Sequence, residues 1–149
     1  MALSGGPVEE RTEMIQDLKT LRNHLLHLHG ELLAAERDAY ERQYGRVAPG
    51  EMLRLVLHDE NFQWLRPISG LVADIDGALA DHRRGEVLLD AAGVQALFDR
   101  ARLLVDASTD SAERYRNWLQ DTPDVLLAHR AVMGALRPGD APASAALTN

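Results

Sequence analysis

The sequence predicts an all-α fold, a four-helix bundle with a long first helix and an interrupted second one, and three observations predict it. Apolar residues recur at steps of three and four through most of the chain. No stretch alternates apolar and polar residues as a half-buried strand would, and no Asn-Gly hairpin turn occurs. Pro and Gly fall between the periodic stretches, where helices begin and end.

The first helix starts at Pro7, carries Glu9 and Glu10 in its opening turn, and ends before Gly45. Met14, Leu18, Leu21, Leu25, Leu28, Leu32, Ala35 and Ala39 form its main apolar stripe, with a second at Leu26, Leu33 and Tyr40. Unbroken, it spans roughly 57 Å at about 1.5 Å per residue, and Gly30 is its weakest point. The second helical region divides at His58 and Asp59, where Asp59 is placed to cap the later part. Phe62, Leu65, Ile68, Leu71, Val72, Ile75 and Leu79 supply the apolar face of that part. Pro67 there either kinks the helix or marks its true first turn. After a loop DHRRGE, a third helix runs from about Asp90 to Ala107. A fourth begins near Ser111, with Tyr115, Trp118, Val125, Val132 and Leu136 as its seam and a restart at Thr122 and Pro123.

At 149 residues the chain suits one domain, assigned to 1–136, with a disordered tail over 137–149. It has no cysteine, which excludes disulfides, thiolate metal sites and cysteine nucleophiles. A net charge of −7, with acidic residues spread along the chain, disfavours nucleic acid and anionic membrane as partners. There is no secretory leader pattern and no run of eighteen apolar residues, so the expected location is the cytoplasm. Lys19 is the only lysine beside many arginines, a usage that points to a GC-rich bacterial source.

Polar residues on otherwise apolar faces are the candidate site. Arg22, His29 and Glu36 stand seven apart between the two apolar stripes of the first helix. Ser69 and Asp76, with Arg66 near the start, share the second helix, and His129 sits in the middle of the fourth helix's seam. Unpartnered buried charge costs several kcal/mol, so such residues must pair, with each other or around a ligand. Carboxylate and imidazole from facing helices are how bundles hold dinuclear metals, yet the Glu-x-x-His and His-Glu-x-x-His patterns are missing. His27 and Glu31 stand one turn apart on the face away from the leucines, where solvent is expected. Asp74-Ile75-Asp76-Gly77 lacks the remaining ligands of a calcium loop. Phosphate loops, nucleophile elbows and dinucleotide fingerprints are absent, and no residue is assigned a catalytic role. Trp64, Trp118, Tyr40, Tyr44 and Tyr115 are expected as core or interface anchors.

The stretch LHDENFQWLRPISGLVADID, residues 57–76, together with ELLAAERDAYERQYG before it, resembles a group of small all-helical bacterial proteins. The resemblance implies a helical bacterial protein and no activity.

Two functions are expected on these grounds. The first is a noncatalytic interaction module, a homo-oligomer through the long first helix, whose overhang would expose apolar surface. The second is a bundle binding a metal or small ligand at Arg22, His29, Glu36, Arg66, Ser69, Asp76 and His129, with no cofactor named.

Overall fold

A computed structural model of the chain describes residues 7–137, and the tail expected over 137–149 lies outside them from residue 138 on. Among the described residues there are seven α-helices, one 3-10 turn and no strand. α1 covers Pro7–Tyr44 in 38 residues. Gly30 does not break it: the residue is exposed, and the helix passes through it. Gly45 ends the helix with a φ of 92° and an N–H bond to Glu41 O at 2.8 Å, a left-handed closure that glycine adopts without steric cost.

The region 49–84 forms three helices rather than two. α2 covers Pro49–His58, α3 is the single turn Glu60–Gln63, and α4 runs from Arg66 to Arg84. Asp59 caps α3, its side chain accepting from Asn61 N at 2.8 Å. Pro67 lies in the first turn of α4, where its missing N–H has no helical acceptor to lose. The segment read as the loop DHRRGE continues α4 through Arg84. The closure at Gly85 explains the extra turn: Gly85 N bonds His82 O at 3.1 Å and Glu86 N bonds Asp81 O at 2.9 Å, with φ of 76° at the glycine. His82, Arg83 and Arg84 also suit the negative end of the helix dipole.

α5 spans Ala91–Leu104, capped by Asp90 on Gly93 N at 2.7 Å, and so ends three residues before the expected Ala107. A 3-10 turn at Asp110–Ala112 leads into α6, Glu113–Asp121, and α7 restarts at Pro123 and runs to Ala135. The restart comes from Thr122, whose extended backbone breaks the helix just where proline is tolerated as its new first residue.

α1 packs against α4, α5 and α7, while α6 lies on α7 and α2 touches chiefly α3. Leu18, Leu21, Leu25, Leu28 and Leu32 are all fully buried, meeting Leu71 and Ile75 of α4, Phe98 and Ala101 of α5, and Val125 and Val132 of α7 in one cluster. Each such leucine contributes about 1.5–3 kcal/mol. The second stripe is much less covered: Leu33 and Tyr40 are half-buried and Leu26 is 44% exposed. Ion pairs brace the helices from outside. Asp74 and Asp76, two residues apart and so about 200° around α4, reach different neighbours: Asp74 takes Arg100 of α5 at 2.6 Å, and Asp76 takes Arg22 of α1.

Candidate functional site

Glu36 is the one charged residue buried among the described residues, at 2% exposure. Its position comes from spacing: it is four residues past Leu32 and next to Ala35 on the covered side of α1, so the helix carries its carboxylate inward. Three side chains from two elements meet it there. Arg114, in the first turn of α6, donates from Nε to Oε2 and from Nη2 to Oε1, both at 2.6 Å. Trp64, between α3 and α4, and Trp118, one turn beyond Arg114, each donate from the indole Nε1 to Oε2 at 2.8 Å. Four N–H donors converge on the carboxylate, three on Oε2 and one on Oε1, and two of them come from a fork whose geometry suits it. That hydrogen bonding holds the Arg114 guanidinium above its already high ordinary pKa. Its head lies 6.0 Å from the Trp64 ring centre, so the indole supports it from the side as well as sharing its acceptor.

A second polar contact lies beside this knot. The Tyr115 hydroxyl is 2.6 Å from His129 Nδ1, and the Tyr115 ring stands 6.4 Å from that of Trp64. Burial pushes the tyrosine pKa up and the histidine pKa down, the latter helped by Arg130. Tyr115 therefore keeps its proton and His129 stays neutral, which makes the phenol the donor and Nδ1 the acceptor.

The seven residues singled out from the sequence thus fall into separate places. Arg22 and Asp76 meet each other, Nε to Oδ1 at 2.8 Å and Nη2 to Oδ2 at 3.1 Å, at the partly exposed edge between α1 and α4. His29 is half-buried, and burial lowers its pKa. Arg66 and Ser69 are exposed; Arg66 donates to Leu57 O and Ser69 to Arg66 O. Glu36 and His129 have different partners, Arg114 and Tyr115. Among the described residues no group of three or more His, Asp or Glu side chains is arranged to hold a metal ion. His27 and Glu31 form a loose pair at 3.8 Å with the histidine largely in water. Arg114 is the residue that helical spacing alone does not single out. A signal for it exists: it precedes Trp118 by one helical turn, so a charged residue shares a face with a seam tryptophan.

What this arrangement does chemically is to neutralise a buried charge completely. The bonds of Glu36 tie α1, the α3–α4 junction and α6 to a single carboxylate. No helix of the described residues is long and apolar enough to cross a membrane. No protein-family model, no curated protein and no solved structure matches this chain.

Proposed function

We propose that the chain is a noncatalytic interaction module that self-associates, with its contact surface on α2. The observation that carries this is that α2 has no buried residue although half of it is apolar. Leu53 and Leu57, one turn apart on one face, are 62% and 47% exposed, and Tyr44 just before them is 62% exposed. The leucine row of α1 from Leu18 to Leu32 is covered by the chain's own helices, so the exposed apolar surface favoured for self-association is that of α2. A second copy is the occupant we favour, because the leucine pair can be matched across a two-fold axis. Two α2 helices laid antiparallel, with the axis level with Leu55, bring Leu53 of each copy level with Leu57 of the other. Architecturally we take the molecule as a four-helix bundle in which 49–84 is one interrupted limb and α6 with α7 another. The bacterial, cytoplasmic setting expected from composition belongs to the same proposal.

Sedimentation across a concentration series tests it. A ten-residue helix covers less than a standard interface, so dimerisation is expected with a Kd on the order of 10 μM. The mass should rise from 16.5 kDa toward twice that. Leu53→Glu should hold the chain monomeric, and Leu57→Glu should do the same. A mass of one chain throughout, or a dimer indifferent to these changes, refutes the reading. The alternative, a metal or small ligand held by Glu36 and His129, has less support, since a ligand on Glu36 would have to displace four hydrogen bonds.

A further inference from the structure

A cavity of about 300 Å³ opens between the start of α4, the end of α5 and the turn into α6. One wall is apolar, formed by Trp64, Pro67, Leu103 and Leu104, and Leu103 is left 75% exposed at its rim. The cavity's polar lining at Asp106 and Thr109 is braced from beside it. Arg116 Nη1 donates to Ala107 O at 2.8 Å and to Thr109 O at 2.6 Å, and Asp106 accepts from Ser108 N at 2.9 Å. Arg114 lines the same space. Its Nε and Nη2 are committed to Glu36, with further weak bonds from Nη2 to Asn61, while Nη1 has no hydrogen-bond partner among the described residues.

Those constraints define a ligand. Arg114 is a donor fixed in advance, because two short bonds to a buried carboxylate keep the guanidinium from turning, and a fixed donor costs a ligand little ordering entropy. It brings no net field, since Glu36 neutralises it, and the one other charged group lining the space is the carboxylate Asp106. An anion would gain little there beyond what a neutral acceptor gains. The apolar wall with its indole favours a flat, apolar body. We propose that this cavity binds a small uncharged aromatic molecule carrying a carbonyl group, its ring against Trp64 and Leu104 and its oxygen accepting from Arg114 Nη1. The proposal is independent of self-association through α2.

The test uses the full chain labelled with nitrogen-15, in which the two tryptophans supply two indole N–H signals. N-methylbenzamide is the probe, and benzoate is its charged counterpart. Titration with the amide should move the Trp64 indole signal and the backbone signals of Leu104, Ser111 and Ala112 saturably, with a Kd on the order of 1 mM. Benzoate should bind more weakly. Ala112→Phe, which fills the cavity while keeping both partners of the Arg114–Glu36 pair, should weaken amide binding at least about ten-fold. Leu103→Ala on the exposed rim should weaken it less, and it keeps the test valid if the larger side chain disturbs the fold. The proposal is overturned if the amide produces no saturable shift, if its shifts lie away from these residues, if both variants bind as the parent does, or if benzoate binds equally well or better.

Discussion

Glu36 and Arg114 are partners with unequal alternatives. Remove Glu36 and the guanidinium, whose side chain is already 45% exposed, can turn to water; remove Arg114 and a carboxylate 2% exposed stays behind with only two indole donors. Arg114→Ala should therefore destabilise the protein by about 3 kcal/mol or more, and Glu36→Ala by less, about 1–3 kcal/mol from its unsatisfied donors. Denaturant melts of the two variants check the order, and a reversed order would contradict the burial argument. The histidines give a pH dependence whose sign is fixed. Burial lowers the folded pKa of His29 and of His129, so below about pH 6.5 the unfolded chain binds more protons than the folded one. Stability from these residues is present above that value and declines as pH falls toward their folded pKa values. His129→Gln should flatten the decline measured by melting between about pH 7 and 5. At this scale helical spacing disclosed that Glu36 and His129 face inward, while Arg66 and Ser69, chosen on the same grounds, stand exposed. It did not disclose the partners of Glu36 and His129. Arg114 and Tyr115 come from α6, and which helix lies across from which is a matter of packing, not of local pattern.

Helix α1 shows how far periodicity reaches at the scale of an element. The row from Leu18 to Leu32 was legible because steps of three and four keep residues on one side of a helix, and the structure buries every one of them. Leu26, on the second stripe, obeys the same arithmetic yet stands 44% exposed, since the width of a buried face depends on how many neighbours arrive to cover it. Gly30 looked like a place to bend because glycine lowers helix propensity, but three neighbouring helices outweigh a cost of about 1 kcal/mol. A Cβ at Gly30 would meet nothing within 4 Å, and the residue is exposed and helical. Gly30→Ala should raise stability by about 0.5–1 kcal/mol, seen as a higher denaturant midpoint with unchanged slope. A loss of stability would mean that this face of α1 is in contact with something the single chain does not contain. Breaks were the other legible feature: Asp59, Pro67 and Pro123 each sit where a helix starts, because each has a chemical reason to be there.

Across the whole molecule, the helical class and most of its element boundaries were readable, whereas the meeting points of the polar residues were not. Arg22 with Asp76 and Asp74 with Arg100 fasten α4 to two neighbours from its two sides, and neither pair can be read from sequence separation. Both are partly in water and should add little stability, roughly 0.2–1 kcal/mol each, while they fix which helix stands beside which.

The Glu36 knot also has a consequence in time. Its donors lie 28, 78 and 82 residues further along the chain, so the carboxylate cannot be satisfied until α6 has been made and docked. We expect the knot to close after α1 has packed on α4, late in assembly. Arg114→Ala should then leave the refolding rate nearly unchanged and speed unfolding instead, a partition that stopped-flow measurement of both limbs would read directly. Glu36 would act as a latch: it contributes nothing to finding the fold, and it sets how long the fold, once found, persists.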